Sequence, residues 1–285
     1  MKAMKLSVGI CSVESQNLII QKAYSILSSR TNFQLKELER LPLSPGKYNI
    51  SLTDEWIISL FASVVIAVCP KTLIPNIRVL VNLFIVTLLR GIVPVAQALG
   101  SLLNKLVSTS NSAENSSYIT LEEALDAIFN TKIWLSSIDI LQRCNGTSNG
   151  KEIVLTDICL GFANDKLLQI NAICGLSWIG KGLLLRGHEG IKDITMTFIE
   201  CLIPGTKSSL PFIKDSLGNT EEQIQDPLVM KSAADAFHIL MSDSEVCLNK
   251  KFHATIRPLY KQRFFSSMMP IFLQLITKAY SSLSR

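Results

Sequence analysis

The sequence predicts an all-α fold, an α-solenoid of stacked antiparallel helix pairs, from three observations. Apolar residues recur every three or four positions along most of the chain, which is the spacing that lines one helical face. Three consecutive helical stretches between Asp54 and Val107 are separated by only two or three residues, which leaves no room for strands there and favours antiparallel packing. The sequence motif Leu-Leu-Arg-Gly occurs at 88–91 and again at 184–187, 96 positions further on. This distance is about two units of a HEAT or armadillo-like helical repeat of roughly 40 to 47 residues.

Length and composition agree with one elongated stack. We expect the 285 residues to form a single repeat segment over 1–285, because repeat arrays are not bound by the size limit of an ordinary domain. The hydrophobic content of 48% is high, yet the longest uncharged apolar stretch, Trp56 to Cys69, has only 14 residues. A membrane-spanning helix needs roughly 20. We therefore expect helices buried on both sides in a stack, and no membrane contact.

Caps and prolines delimit four helices in the N-terminal half. We expect them at 14–29, at 54–68, in the stretch that follows Thr72 as its N-cap, and from Pro94 to about Val107. Thr53 fits the N-cap of the second helix, because a side-chain oxygen there can accept from the free amides of the first turn. Pro70 then ends that helix. On the first helix, the side chains expected on one apolar side are Leu18, Ala23, Ile26 and Leu27.

Polar segments mark three predicted mobile loops, at 108–117, 144–151 and 204–226; the second also contains glycine, and the third glycine and proline. Between the first two, Thr120 and Glu123 have the spacing of a capping box and open a helix at 121–141. After the third loop we expect a helix at 228–241. Its inward side chains are Val229, Ala233, Ala236, Phe237 and Leu240.

The stretch from Asp165 to Leu202 organises the chain and is predicted to form two helices joined at Arg186-Gly187. Gly187 can take the left-handed conformation that ends a helix, while Arg186 is favoured at the negative end of the helix dipole. One face of the first helix contains small residues that let a neighbouring helix come close. Its members are Leu168, Ala172, Gly175, Leu176, Ile179 and Leu183.

Motifs for catalysis and ligand binding are incomplete. Gly175-x-x-x-x-Gly180-Lys181 matches part of a phosphate-binding loop, but Gly182 stands where Ser or Thr is required and no strand precedes it. Ser177 lacks the second glycine of a hydrolase nucleophile elbow. The three histidines lie in separate segments and no Cys-x-x-Cys occurs. We predict no catalytic residue, no cofactor and no metal site, and assign these glycines to helix packing.

The last 40 residues are basic. From Val246 to Arg285 there are seven Lys or Arg and no acidic residue, while the rest of the chain has a net charge of −2. A long helix or bent pair is predicted at 258–283, with a break at Pro270. A basic surface interleaved with aromatic residues fits an acidic protein or nucleic acid, and a merely solvated face is the third alternative.

Three short sequence motifs near the C-terminus are distinctive: Ala233-Ala234-Asp235, Leu240-Met241-Ser242-Asp243 and Tyr260-Lys261-Gln262-Arg263-Phe264-Phe265. Together with the run 175–202 they resemble the carboxy-terminal HEAT region of the "MMS nineteen" proteins, which are named for sensitivity to methyl methanesulfonate. The sequence is similar to that of a plant member of the family. Members of this family are several times longer, so we expect further repeats beyond this segment.

The resemblance implies a non-catalytic scaffold, an adaptor of the cytosolic iron-sulfur protein assembly targeting complex. Such adaptors bind a WD-propeller subunit and a small partner, and bring them to client iron-sulfur apoproteins such as DNA helicases. A part in DNA repair and transcription, in the cytoplasm and nucleus, follows from the resemblance. Seven scattered cysteines fit the reduced thiols of those compartments. The resemblance also implies protein-interaction roles for Arg257, Lys261 and Arg263, and we expect the same of Lys250 and Lys251 in the basic tail.

The alternative interpretation is a nucleic-acid-binding helical-repeat protein that uses the basic residues 246–285. Binding to phosphates releases counterions, so a steep loss of affinity with added salt distinguishes it from the adaptor. An enzyme has no constellation of residues behind it in the sequence.

Overall fold

The computed structural model describes residues 2–31, 51–106 apart from position 105, 119–129, 154–161, 165–203 and 226–242, with scattered positions between 262 and 277. Regular structure in these ranges is helical, and they contain no strand. The all-α prediction is therefore confirmed.

Short connections join the helices of the described residues. The helices are α1 (Lys2–Ile10), α2 (Val13–Arg30), α3 (Leu52–Ala67), α4 (Pro70–Leu73), α5 (Ile77–Thr87), α6 (Val93–Leu103), α7 (Leu121–Phe129), α8 (Leu155–Cys159), α9 (Lys166–Arg186), α10 (Ile191–Leu202) and α11 (Pro227–Met241). Two 3-10 turns, Ile74–Asn76 and Leu88–Arg90, flank α5.

Four long helices follow one another through the array: α3 packs on α6, α6 on α9, and α9 on α11. The remaining helices lie beside this row, α1 and α2 against α3, α5 against α6, and α8 and α10 against α9. Each helix therefore contacts its neighbours in the stack, which is the pattern of a helical-repeat solenoid. The predicted solenoid of helix pairs is confirmed.

One apolar core runs through the row, from Val8 at the α1 edge to Leu240 on α11. Short helices are marginal in water by themselves. Burying one large aliphatic side chain contributes roughly 1.5 to 3 kcal/mol, so several at each helix interface stabilise the stack. Among the described residues, α9 is the one helix long and apolar enough to cross a membrane, and most of its length is buried inside the array.

Several predicted boundaries are confirmed. The Thr120 hydroxyl accepts from the Glu123 amide at 3.1 Å, and the Glu123 carboxylate accepts from the Thr120 amide at 2.9 Å, so the capping box opens α7. Pro94 lies in the first turn of α6, as expected, although α6 ends at Leu103 rather than near Val107. The α11 face is confirmed as well: Val229, Ala233, Ala236 and Leu240 are buried, and Phe237 is half-buried against Phe198 of α10.

Two predicted caps are wrong. Ser51, not Thr53, caps α3, because its hydroxyl accepts from the Asp54 amide at 3.2 Å while Asp54 accepts from the Ser51 amide at 3.0 Å. This reciprocal pair leaves Thr53 inside the helix. Thr72 lies within α4, where its hydroxyl contacts the Cys69 thiol at 3.2 Å instead of capping α5.

At the N-terminal edge, the helices present and the side of α2 that is buried differ from the prediction. The helix α1 was not predicted, and Leu18 and Ile26 of α2 are exposed rather than turned inward. The buried side of α2 contains Gln16, whose amide oxygen accepts from the Cys69 amide at 2.7 Å. This polar contact to the end of α3 fixes the rotation of α2, and it leaves an apolar side uncovered.

The remaining expectations fall on residues that the structure does not describe. They are the loops at 108–117, 144–151 and 204–225, most of the 121–141 helix beyond Phe129, and the helix at 258–283 as a continuous element. Asp226, the last residue of the third predicted loop, is described and caps α11.

Candidate interaction site and its support

The five predicted interaction residues lie outside the described residues: Lys250, Lys251, Arg257, Lys261 and Arg263. The structure describes the support from which residues 243–285 continue. That support is α11, together with the central helix α9 on which it packs.

The helices α9 and α6 cross at backbone distance. A Cβ atom placed on Gly182 would lie 2.3 Å from the Gly100 carbonyl oxygen, and one on Gly100 would lie 2.2 Å from the Trp178 carbonyl oxygen. No side chain fits at either glycine without separating the helices. Gly175 admits Leu88 in the same way, since a Cβ there would lie 2.9 Å from the Leu88 Cγ atom. The predicted close approach through small residues is confirmed.

Both Leu-Leu-Arg-Gly motifs end a helical segment: the first ends the 3-10 turn Leu88–Arg90, which packs on α9, and the second ends α9 itself. Gly91 and Gly187 have φ angles of 75° and 72°, the left-handed region that glycine accepts without strain. The Asn171 side chain of α9 donates to the Leu89 carbonyl oxygen at 3.0 Å. The Arg186 guanidinium donates to the Leu103 carbonyl oxygen at the end of α6. Together these bonds fasten α9 to the 3-10 turn that precedes α6 and to the last residue of α6.

Lys181 fastens α9 to the C-terminal end of α11. Its side chain is only 1% exposed, and Nζ donates to the Leu240 carbonyl oxygen at 3.0 Å and to the Ser242 carbonyl oxygen. Carbonyl groups in the last turn of a helix have no amide partner, and the helix dipole favours a cation beside them. The ammonium group therefore fixes the point at which the chain leaves α11 towards residues 243–285.

The N-terminal end of α11 is fastened by an ion pair. Asp226 accepts from the Leu228 amide at 2.8 Å and from the Lys166 Nζ atom at 2.5 Å. The Lys166 hydrogen bond, supported by the Leu228 amide, holds the pKa of the Asp226 carboxyl below its ordinary value. Since Lys166 opens α9, the two helices are joined at both ends of α11.

Charged groups also join α7 to the row. Arg78 of α5 lies 3.7 Å from the Glu123 carboxylate of α7. Burial lowers the pKa of the Arg186 guanidinium, and the negative charge of Glu122 acts in the opposite direction. The carboxylates of Glu122 and Glu123 on α7 thus interact with Arg186 of α9 and Arg78 of α5, respectively.

The incomplete motifs lie inside the packed array. The partial phosphate-loop match falls entirely within α9, where Lys181 is hydrogen-bonded to the end of α11 and Gly182 packs against the α6 backbone at Gly100. Ser177 is buried and its hydroxyl donates to the Cys174 carbonyl oxygen at 2.6 Å. Burial raises the pKa of the Cys174 thiol. The described part of the chain holds no group of three His, Cys, Asp or Glu side chains placed to bind a metal ion.

Sequence reasoning missed the anchoring roles of Lys181 and Asn171. A signal was present, because a lysine inside a long apolar helix must find acceptors or remain an uncompensated buried charge. The acceptors themselves belong to residues 59 and 61 positions away for Lys181 and 82 positions away for Asn171. Only the folded array brings them together.

Comparison with known families gives one match over most of the chain. The family described as RNAPII transcription regulator C-terminal matches residues 3–282. A curated relative from Arabidopsis thaliana, named MMS19 nucleotide excision repair protein homolog, is 47% identical over 293 aligned residues and covers 100% of this chain. No solved structure matches the chain.

More distant relatives carry the same printed name. The Xenopus tropicalis protein is 30% identical over 110 residues, or 39% of this chain, and the Homo sapiens protein is 29% identical over 99 residues, or 35% of it. The chain spans 24% of the Arabidopsis relative, and the matches to the other two span 9% and 8% of those proteins.

Proposed function

Because the chain belongs to the RNAPII transcription regulator C-terminal family, we propose that it acts as a non-catalytic helical scaffold in nucleotide excision repair and transcription. The family match over 3–282 carries this proposal, because it spans the whole described array. The printed names of the relatives supply the biological process.

The more specific part of the proposal is an adaptor role in the cytosolic iron-sulfur assembly targeting complex. The chain binds a WD-propeller subunit and its small partner, and presents them to client iron-sulfur apoproteins such as DNA helicases in the cytoplasm and nucleus. Support comes from the sequence resemblance and from the architecture, since stacked helix pairs offer long continuous surfaces for proteins. In this proposal, residues 1–285 act as one helical-repeat segment. The adaptor role requires neither membrane contact nor direct contact with nucleic acid.

The contact is assigned to the basic residues that follow α11. Lys181 and the Lys166–Asp226 ion pair hold both ends of α11 on α9, so the residues after Ser242 start from a fixed point of the scaffold. Seven positive charges without an acidic residue then suit an acidic protein surface.

Co-purification tests the adaptor role. The chain is expressed with the propeller subunit and the small partner, and compared with a variant in which Arg257, Lys261 and Arg263 are reversed to Glu. We expect a stable complex for the unchanged chain and its loss in the variant, because like charges then face each other across the interface.

A matched variant separates a local contact from net charge. Reversal of Lys71, Lys192 and Lys231, which are exposed on other helices, changes the net charge equally and is expected to keep the complex. A folded chain that forms no complex contradicts the adaptor role. If the unchanged chain instead binds DNA with an affinity that falls steeply with salt, the nucleic-acid alternative replaces it.

A further inference from the structure

An apolar groove lies between α1, α2 and α3, away from α9 and from the basic residues. Its volume is about 240 Å³. On both α2 and α3, the lining residues recur three or four positions apart over about two helical turns. The lining residues are Met4, Ile19, Lys22, Ala23, Ile26, Ile57, Leu60, Phe61 and Val64.

Exposed apolar side chains extend both walls. On α3, Leu52 and Trp56 are 80% and 78% exposed and lie on the same helical stripe as Leu60. On α2, Leu18 continues the stripe of Lys22 and Ile26. Of the sixteen large apolar side chains that are exposed among the described residues, eight belong to α1, α2 and α3. Such clustering marks an interaction site rather than ordinary surface scatter.

The shape of the groove fits a helix. Apolar residues of two adjacent helices that line one groove can form the receptor side of helix-in-groove recognition, in which the bound helix inserts apolar residues at positions i, i+3, i+4 and i+7. The wall residues Ile19 to Ile26 and Ile57 to Val64 each cover about two helical turns, which is roughly 11 Å. An amphipathic helix of two or three turns would bury this surface.

The charge of the groove selects among such helices. Among the described residues that line the groove, Lys22 is the one charged side chain, and it is exposed. The stretch 2–31, which forms α1 and α2, contains four basic residues and one acidic residue. A lysine at the border of an apolar site can pack its aliphatic chain along the wall while its ammonium group stays in water.

We propose that this groove binds an amphipathic helix of a separate protein, with acidic side chains flanking its apolar stripe. The apolar stripe enters between α2 and α3, and a carboxylate pairs with Lys22 at the rim. A second copy of this chain is a poorer occupant, because a symmetric contact would bring two basic α1–α2 surfaces together.

Titration with a designed peptide tests the proposal on the full chain. The probe is an amphipathic peptide of about 15 residues with Leu at i, i+3, i+4 and i+7 and Glu on both flanks. A second peptide has Lys in place of every Glu. Trp56, which is exposed one helical turn before the lining residue Leu60, serves as the reporter in a chain whose Trp134 and Trp178 are replaced by Phe, because its emission shifts to shorter wavelength when the indole is covered.

We expect the Glu peptide to bind and to shift the Trp56 emission, and the Lys peptide to bind more weakly. Lys22→Glu should weaken the Glu peptide about threefold and strengthen the Lys peptide. Leu60→Asp should weaken both by about tenfold or more, because the stripe loses its apolar contact. Lys192→Glu, on the exposed side of α10, is the matched control and should change neither affinity.

Three outcomes contradict the proposal. Equal binding of both peptides to the unchanged chain and to Lys22→Glu removes the charge selection. A Trp56 emission that is already at short wavelength in the dilute free chain shows that another part of this chain fills the groove. A molecular mass that doubles with concentration, and returns to the monomer value in Leu60→Asp, assigns the groove to a second copy.

Discussion

The helices α3 and α9 are both strongly apolar, yet each has a different relation to the rest of the array. On α9, Trp178 is 8% exposed and packing partners lie on both sides, α6 on one and α11 on the other. On α3, Trp56 is 78% exposed, and only the C-terminal half of the helix is closed in by neighbours. Apolar sequence therefore specifies that a helix has a contact surface, while the neighbouring elements determine whether that surface is already occupied.

The largest effect is expected from a charge in the closed region. Leu183→Asp places a carboxylate where the side chain is 1% exposed, so the free energy of unfolding should fall by about 4 kcal/mol or more. Leu60→Asp makes the same change on the open side of α3 and should alter stability little. Urea denaturation of both variants measures the difference. Equal destabilisation would mean that the two sites are equally buried.

A smaller change probes the α6–α9 crossing. Gly182→Ala should destabilise the chain by about 1 to 3 kcal/mol, because its Cβ must displace the α6 backbone. Gly9→Ala is the matched control, since its Cβ would meet the Ala67 carbonyl oxygen at an ordinary 3.5 Å. Alanine should be neutral or stabilising there, as it is in most helix interiors. Melting temperatures that fall equally for both variants would refute the close crossing.

Removal of the Lys181 ammonium group probes the contact between α9 and α11. Lys181→Met keeps the length of the side chain but leaves the carbonyl groups of Leu240 and Ser242 without this donor. Loss of a charged donor costs about 2 kcal/mol. Hydrogen exchange should accelerate most in the last turn of α11, while α3 stays unchanged. Uniform acceleration along the chain would argue against a local anchor.

The smallest effect concerns pH. The pKa of Asp226 is lowered in the folded chain, so its carboxylate stabilises the fold at neutral pH and loses that contribution as the pH falls through the acid range where it protonates. Lys166→Met should raise the pKa of Asp226, with part of the lowering kept by the Leu228 amide. Carboxyl NMR titration measures the shift, and Lys231→Met should leave it unchanged. An unaltered pKa in Lys166→Met would show that the ion pair is absent in solution.

Local signals predicted much of the fold. The Thr120–Glu123 capping box, Pro94 in the first turn of α6 and the two Arg-Gly helix ends each depend on residues a few positions apart, and the structure confirms them. The residues predicted on one face of α9 are buried, but so are all the residues from Gly175 to Leu185, so this part of the helix is buried on all sides. The Ser51 cap was missed because Ser51 and Thr53 both carry a hydroxyl, and only the Asp54 partner decides between them.

Features that depend on distant residues could not be predicted in this way. The facing of α2 is set by the Gln16 contact to Cys69, 53 positions away, and it exposes Leu18 and Ile26 against expectation. The bonds of Lys181 and the open groove likewise arise only when the helices are stacked. The basic interaction residues remain a sequence prediction, since they lie outside the described residues.

The contrast between α3 and α9 can be measured most directly with two single-tryptophan variants. Trp134 is replaced by Phe in both, and either Trp56 or Trp178 is retained. We expect the Trp56 variant to emit at long wavelength and to be quenched by acrylamide several times more strongly than the Trp178 variant, because its indole is in water. Equal quenching of the two tryptophans would contradict an open α3 edge beside a closed α9.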